Sequence, residues 1–332
     1  MPTILLSFKR SARALYYGEN ALAGLRKLGD VRLNDSDEAL DGAALMAAAR
    51  DCQVIVSDRQ TPGSAELFGA HPQLTVFARC AMDIRNVDLA AANAAGVLVT
   101  RASAGFGTSV AEWVLGAMID LGRGFSRSVL EYRSGETATV VMGRELRGST
   151  LGVIGYGHIG QRLCKLALAL EMAVCIHDPL VAPQQPAIEA LTLDELLQRC
   201  DFVVCLAPAL PETEKLMNAA RFAQMKPGAF FINPSRGNLV DEDALLQALD
   251  AGRLAGCALD VGRAPDQMPT LALAIHPRVV ATPHIGGLTP AAAEHQALET
   301  VHQLGALLRG EMPVGAVNPE HALRLGALLR AL

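Results

Sequence analysis

The chain has 332 residues and a net charge of −5, and it contains no basic block that would suit nucleic acid or an anionic membrane surface. Apolar residues make up 51% of it but aromatic residues only 4%, so its core has to be built mainly from Ala, Leu and Val. The start of the chain lacks the layout of a signal peptide, and no apolar run reaches transmembrane length. Seven scattered cysteines without a Cys-x-x-Cys pair predict reduced, buried thiols. We therefore expect a soluble cytoplasmic protein of two domains, without a metal site.

Short apolar runs alternate with helical patterns along the first hundred residues. The apolar runs predict five buried strands, at 4–8, 31–33, 54–56, 74–77 and 97–99. Helical periodicity separates them, most clearly at 20–28, 37–50 and 87–94. Alternation of strands and helices predicts a parallel sheet that is covered on both faces.

A long amphipathic stretch at 108–121 leads into a second alternating series. This series predicts six strands, at 151–154, 173–176, 202–206, 229–232, 255–259 and 279–281. A further long helix is predicted at 290–308. We predict an α/β protein with two Rossmann-like lobes and doubly wound parallel sheets, in which a nucleotide-binding domain (102–285) is inserted into a flavodoxin-like substrate domain (1–101 and 286–332). The cleft between the lobes is the expected substrate site.

A dinucleotide-binding turn is predicted between the first strand of the second series and the helix after it. Gly155 permits the tight turn, Gly157 lets the backbone approach a pyrophosphate, and Gly160 lets helix and strand pack closely. The pyrophosphate would lie at the helix N-terminus, beside His158 and Ile159, where the helix dipole favours negative charge. A glycine triplet alone is a weak signal, but a turn without a ligand is disfavoured by the strand before it and the helix after it.

The residue that ends the next strand, Asp178, selects the cofactor. Its carboxylate is placed to accept hydrogen bonds from the adenosine ribose hydroxyls. It would repel a 2′-phosphate, and Pro179, Leu180 and Val181 supply no arginine to receive one. The sequence therefore predicts an NAD site rather than an NADP site.

Three charged residues, Arg236, Asp260 and His284, each follow a strand of the second series. The carboxyl ends of strands line the ligand crevice in an open parallel sheet, so the three side chains should face one cleft. Arginine can hold a substrate carboxylate bidentately, and histidine can exchange the hydroxyl proton while hydride moves between substrate and nicotinamide. Asp260 suits a contact with the nicotinamide amide. Each residue alone is more often a surface charge or a turn former, but their shared sheet favours the joint interpretation.

Further motifs make most of the chain similar to the D-isomer-specific 2-hydroxyacid dehydrogenases. These motifs are 109–112, 155–160, Pro208 with Thr213, 225–229, 233–237, 239–245, 258–261 and 282–286. The resemblance implies hydride transfer between a D-2-hydroxy acid and its 2-oxo acid, and a homodimer joined through the NAD domains. It places the catalytic arginine and histidine on Arg236 and His284, a cofactor-contacting aspartate on Asp260, and a cofactor loop on Pro208 and Thr213.

Two departures from the family pattern bear on the chemistry. The family's glutamate partner of the catalytic histidine is replaced by Pro265, and Asp266 follows one position later. Asp266 would stabilise the protonated imidazole if the loop shifts by one residue, while the alternative is a simple turn residue. The substrate loop from Arg79 to Asp88 contains no glycine, so Ala81 and Met82 should narrow the approach to the substrate. Substrate identity therefore cannot be transferred from a relative.

Basic residues lie near the ends of several strands in the first series: Lys9, Arg10, Arg59, Arg79, Arg85 and Arg101. They could bind a second anionic group of the substrate, but ordinary loop-end charges are the favoured interpretation. An NAD(H)-sensing binding protein of the same fold, like the C-terminal-binding-protein corepressors, is the alternative function. A Rossmann methyltransferase is disfavoured because its chemistry does not explain Arg236 and His284.

Overall fold

The computed structural model describes residues 1–330, except for the side chains of Asp266, Ala327, Leu329 and Arg330. The chain divides into two compact units, one formed by Met1–Phe106 with Thr289–Leu332 and the other by Gly107–Leu288. Each unit contains its own parallel sheet, which confirms the predicted α/β class with two Rossmann-like lobes.

The first unit is built on a five-stranded sheet with the order β2-β1-β3-β4-β5, which is the order of flavodoxin-like sheets. Its strands are β1 (Thr3–Leu6), β2 (Asp30–Leu33), β3 (Val54–Ser57), β4 (Val76–Arg79) and β5 (Leu98–Arg101). Its helices in this part of the chain are α1 (Arg10–Tyr16), α2 (Glu19–Arg26), α3 (Gly42–Ala48), α4 (Ala65–Ala70) and α5 (Leu89–Ala95). Every residue of β3 and β4 is buried, as expected for central strands that are covered on both faces.

The second unit contains seven helices and seven strands within its described residues. The helices are α6 (Gly107–Arg123), α7 (Phe125–Arg133), α8 (His158–Ala169), α9 (Leu193–Arg199), α10 (Ala219–Gln224), α11 (Glu242–Asp250) and α12 (Leu271–Ala274). The strands are β6 (Thr150–Ile154), β7 (Ala173–His177), β8 (Ile188–Ala190), β9 (Phe202–Cys205), β10 (Ala229–Asn233), β11 (Leu254–Leu259) and β12 (Val279–Ala281). Their order is β12-β11-β10-β9-β6-β7-β8, so the winding reverses between β6 and β9. Ligands bind at such switch points in open α/β sheets.

The prediction of six strands for this sheet was wrong, because the edge strand β8 was missed. Only Ile188 of its three residues is buried, so the segment forms no apolar run. Its hydrogen bonds to β7 define it, with Ile188 opposite Val174 and Ala190 opposite Ile176. Neighbour pairing of this kind leaves no periodic signal in so short a stretch.

Helix α13 (Pro290–Leu308) has the bounds that the periodicity predicts, and α14 (Leu325–Arg330) follows it. Thr289 begins α13 because its hydroxyl accepts a hydrogen bond from the amide of Ala292, and Pro290 occupies the first helical position. Side chains of α13, among them Ala297 and Leu304, complete the core of the first unit against strands β1, β3 and β4.

The structure also bears on the cysteines, on membrane-spanning helices and on metal-ligating side chains. All seven cysteines are buried, as predicted, and their thiols are free. In the part of the chain that the structure describes, no helix is both long and apolar enough to cross a bilayer. The same residues bring no three metal-ligating side chains together.

Arg79 lies at the end of β4 and its side chain is fully buried. Its guanidinium donates to the carbonyl oxygen of Asp58, to that of Thr61 at 3.0 Å and to Asn86 Oδ1 at 2.6 Å. Burial lowers its pKa to about 10, which still leaves it charged at neutral pH. Arg79 therefore links the loops that follow β3 and β4 through hydrogen bonds.

Replacing Arg79 by methionine is expected to lower the free energy of unfolding by about 3 kcal/mol, because the buried acceptors lose their donors. Urea denaturation followed by circular dichroism measures this change. Arg59 lies on the exposed part of the same loop and provides the control, since Arg59→Met should change stability by less than about 0.5 kcal/mol. Equal effects of the two substitutions would contradict the assignment.

Candidate functional site

The glycine turn lies at the switch point of the larger sheet. Gly155 has φ +100°, and a Cβ there would lie 2.7 Å from the carbonyl oxygen of Leu206, in the segment after β9. A Cβ on Gly160 would collide with the carbonyl oxygen of Gly155. Among the described residues, nothing lies within 4 Å of the Cβ position of Gly157. The first and third glycines are thus required by close packing, while the second leaves the backbone open to a ligand.

The N-terminus of α8 adjoins this open position. The helix begins at His158, and Gly157 in the N-cap position provides no side chain to cap its amides. Gly157 and His158 are exposed, Ile159 is half-buried, and the first turn carries no acidic residue. Amides without a side-chain cap, together with the positive end of the helix dipole, make this end of α8 suited to a phosphate group.

Asp178 directly follows β7, the strand beside β6 in the sheet. One of its carboxylate oxygens accepts from the amide of Tyr156 at 2.7 Å, and the other accepts from the amides of Leu180 and Val181 at 2.9 and 3.0 Å. Partial burial acts to raise its pKa, but these three donors outweigh it and hold the pKa below the ordinary value. Asp178 is therefore an anionic acceptor that is tied to the glycine turn through Tyr156.

Arg236 follows β10 in a loop that is fixed by its own hydrogen bonds. Asn233 donates from Nδ2 to the carbonyl oxygen of Arg236 at 2.9 Å, and its Oδ1 accepts from the amide of Ser235 at 3.1 Å. The half-buried guanidinium of Arg236 donates to the carbonyl oxygen of Ser235 at 2.7 Å. A Cβ on Gly237 would collide with the backbone of Gly262, so the loops after β10 and β11 touch through their main chains.

Asp260 directly follows β11 and is only 2% exposed. It accepts from the hydroxyl of Thr282 at 2.6 Å and from the amides of Ile285 and Gly286 at 2.8 and 2.7 Å. The three donor residues lie on either side of His284 in the sequence. His284 has φ +57°, a conformation that few residues other than glycine adopt. Asp260 therefore holds the loop that presents His284. No local pattern signals this tie, because it joins residues more than twenty positions apart.

Strands β10, β11 and β12 are neighbours in the sheet and run parallel. Arg236, Asp260 and His284 follow these strands in the same order. The structure thus brings the three sequence-predicted residues to one edge of one sheet, as the strand-end argument requires. Next to this edge, Gly286 packs against Trp113 of α6, since a Cβ on Gly286 would lie 3.5 Å from Trp113 Cγ.

The loop from Pro208 to Thr213 follows β9. The hydroxyl of Thr213 donates to the carbonyl oxygen of Pro208 at 2.7 Å and accepts from the amide of Leu210 at 2.9 Å. Ser235 in the Arg236 loop donates to the carbonyl oxygen of Ala207 at 2.8 Å. Thr213 therefore shapes this loop, and Ser235 joins the loop to the segment that carries Arg236.

The segment after Asp260 departs from the family pattern, and backbone hydrogen bonds hold it in a turn. Pro265–Gln267 form a 3-10 turn, and Gly262 donates to the carbonyl oxygen of Gln267 at 2.9 Å. Arg263 anchors the segment through an ion pair of 2.6 Å with Glu214. Asp266 lies in the 3-10 turn, but its side chain is outside the described residues.

The predicted substrate loop lies in the first unit, after β4. Ala81 is buried, whereas Met82 is 39% exposed. The carboxylate of Asp83 is paired, because Arg85 donates to its two oxygens at 2.9 and 2.6 Å. The hydrogen bond from Arg85 lowers the pKa of Asp83 to about 2. Arg10 is likewise paired, with Asp37 at 2.7 Å.

Comparison with known proteins identifies the second unit. Residues 115–286 match the family model described as "D-isomer specific 2-hydroxyacid dehydrogenase, NAD binding domain". This match confirms the predicted cofactor, NAD, for a domain whose glycine turn, α8 N-terminus and Asp178 fit a dinucleotide.

Full-length relatives extend the match beyond this domain. The chain is 37% identical over 317 residues to D-3-phosphoglycerate dehydrogenase of Haemophilus influenzae, a match that covers 91% of this chain and 77% of that protein. It is 34% identical over 281 residues to the Rattus norvegicus protein of the same name, covering 83% of this chain but only 52% of that one. The chain thus spans about half the length of the rat protein.

Solved structures agree with the fold. A protein from Thermus thermophilus superposes with a TM-score of 0.82 at 31% identity, covering 95% of this chain and 99% of that one. A D-2-hydroxyisocaproate dehydrogenase gives a TM-score of 0.84 at 24% identity, covering 96% and 99%. The chain is a member of the D-isomer specific 2-hydroxyacid dehydrogenase family.

Proposed function

We propose that the protein is an NAD(H)-dependent oxidoreductase that interconverts a D-2-hydroxy acid and its 2-oxo acid, working mainly as a reductase. The observation that carries this proposal is the placement of Arg236, Asp260 and His284 at the ends of three adjacent strands. The bacterial and rat relatives described above bear the name of such a dehydrogenase. The corepressor-like alternative is not favoured, since nothing in the site requires a binding role without turnover.

Different residues bind the cofactor and the substrate. The turn at Gly155–Gly160 and the α8 N-terminus bind the pyrophosphate, and Asp178 binds the adenosine ribose. NADH supplies the hydride when it is bound. Arg236 binds the carboxylate of the 2-oxo acid and polarises its carbonyl, because a guanidinium matches a carboxylate with two parallel hydrogen bonds.

His284 donates a proton to the carbonyl oxygen in reduction and takes it back in oxidation. Asp260 keeps the loop of His284 in a conformation that an unsupported histidine rarely adopts. Asp266 is the proposed carboxylate partner of His284, supported by its position one residue after the family's glutamate position. Ala81 and Met82 are the proposed substrate contacts, and Pro208 and Thr213 the proposed cofactor loop, both supported by the family pattern.

The substrate class is tested by turnover. Purified protein is mixed with NADH and a panel of 2-oxo acids comprising glyoxylate, hydroxypyruvate, pyruvate, 2-oxoglutarate and 3-phosphohydroxypyruvate. Loss of NADH absorbance with at least one of them is expected, and the product should be the D-hydroxy acid. NADH binding without reduction of any of the acids would favour the sensor function instead.

Replacing Asp178 by alanine is expected to raise the Kd for NADH by about 10- to 100-fold, because a charged hydrogen bond contributes about 1.5–3 kcal/mol. The same change should narrow the preference for NADH over NADPH, since the repulsion of a 2′-phosphate is lost. Titrations with NADH and with NADPH, each followed by the fluorescence of the reduced nicotinamide, measure the two Kd values. Asp243→Asn, at an exposed acid on α11, is the control. An unchanged preference in the Asp178 variant would contradict its role.

We further propose a cytoplasmic homodimer that associates through the second unit. Large apolar side chains are exposed along α7 and the segment after it, including Phe125, Leu130, Val140 and Met142 at 54, 66, 97 and 95%. Monomeric proteins rarely expose an apolar surface of this extent. Seven free thiols fit a reducing compartment. Light scattering after gel filtration measures the mass, and a monomeric mass at micromolar concentration would contradict the dimer.

A further inference from the structure

Two of the buried cysteines, Cys175 and Cys200, lie in the same hydrophobic cluster of the second unit. Cys175 on β7 stands opposite Gly152 on β6 in the parallel ladder. A Cβ on Gly152 would lie only 2.7 Å from the sulfur of Cys200, at the end of α9. The absence of a side chain at Gly152 thus makes room for the Cys200 sulfur next to Cys175, and both residues belong to the same buried cluster.

The environment of this pair differs from that of the other cysteines. Interaction with the Cys200 thiol lowers the pKa of Cys175, against burial and the nearby Glu189 carboxylate, and it raises the pKa of Cys200, so Cys175 is the more acidic of the two thiols. Burial instead raises the pKa of the other five thiols, those of Cys52, Cys80, Cys164, Cys205 and Cys257. The thiolate is the nucleophilic form of cysteine, so Cys175 is set apart chemically.

Both cysteines are buried, and a surface residue borders Cys175. The thiol of Cys175 donates to Glu189 Oε2 at 3.9 Å, and the side chain of Glu189 is 52% exposed in its ion pair with Arg199. Glu189 belongs to β8, a three-residue strand at the edge of the sheet. Short edge strands open locally at low free-energy cost, which gives a small oxidant access to Cys175.

We propose that Cys175 and Cys200 form a peroxide-sensitive dithiol that closes into a disulfide. The Cys175 thiolate attacks one peroxide oxygen, the O–O bond breaks, and the departing hydroxide takes up a proton to leave as water. The Cys200 sulfur then attacks the sulfenic acid of Cys175, the S–S bond forms, and the S–O bond breaks to release a second water. The two thiols lose two electrons and their two protons, and one peroxide is reduced to two waters.

The test compares reduced and peroxide-treated protein. Free thiols titrated in denaturant should fall from seven to five, since two of the seven are consumed. Peptide mapping should find a single crosslink, between the peptides that contain Cys175 and Cys200, and dithiothreitol should reverse it. This mapping uses the unaltered chain, so it does not depend on the folding of any variant.

Variants then assign the two roles. Cys200→Ser should retain a sulfenic acid at Cys175 that dimedone labels, whereas Cys175→Ser should show neither label nor crosslink. Cys257→Ser, at another fully buried cysteine in the same sheet, should still form the crosslink. The proposal is overturned if the mapped crosslink is absent, or if Cys175→Ser loses thiols to peroxide as fast as the unaltered protein does.

Discussion

Replacing His284 is expected to lower kcat for reduction of the 2-oxo acid by about 10²- to 10⁴-fold, the usual contribution of a general acid. NADH binding should persist, because the glycine turn and Asp178 belong to a different part of the sheet. Stopped-flow absorbance gives the hydride-transfer rate, and NADH fluorescence gives the binding constant.

The substitution needs care because His284 has a positive φ. Asparagine tolerates the left-handed region better than alanine does, so His284→Asn should keep the loop on Asp260 while it removes the proton donor. His302→Ala, at an exposed histidine of α13, is the matched control and should retain full activity. Full activity of His284→Asn would refute the proposed acid.

The second large effect is expected at Arg236. Replacing it by glutamine should lower kcat/KM for the 2-oxo acid by at least about 30-fold, since loss of one partner of a hydrogen-bonded charge pair costs about 2–5 kcal/mol. Arg236→Lys keeps the charge but loses the two parallel donors of the guanidinium. Its kcat/KM should therefore lie between that of Arg236→Gln and that of the unaltered enzyme. The Kd for NADH should not change in either variant.

The control for Arg236 is an arginine of the same unit on the surface. Arg147→Gln removes a side chain that is 72% exposed and pairs with an equally open glutamate, and such pairs contribute little to stability. Steady-state kinetics at several substrate concentrations separates KM from kcat. A rise in KM without any loss of kcat would restrict Arg236 to binding and remove its role in polarising the carbonyl.

Most of the architecture could be predicted from the sequence because the strands are buried on both faces and therefore form continuous apolar runs. Strands β9 and β10, in which every residue is buried, lie where those runs do. The edge strand β8 escaped this reasoning, since its identity rests on pairing with β7 rather than on burial. The glycine spacing indicated the cofactor site, because Gly155 and Gly160 are required by close packing and Gly157 leaves the backbone open to a ligand.

Features that depend on distant pairing could not be predicted. The hydrogen bonds from the His284 loop to Asp260 and the burial of Arg79 against Thr61 and Asn86 arise only when separate loops meet. Local patterns predict which side chains reach the sheet edge, whereas the partners of those side chains depend on tertiary structure.

The packing of Trp113 against Gly286 has a practical consequence for spectroscopy. Trp113 is the single tryptophan of the chain, and the glycine it packs against lies two residues along the loop from His284. Its emission overlaps the absorption of reduced nicotinamide, so energy transfer from this indole would report arrival of the cofactor without any label. The same indole would register movement of the His284 loop during turnover, and the unmodified protein thus carries its own optical probe at the position where the chemistry is expected.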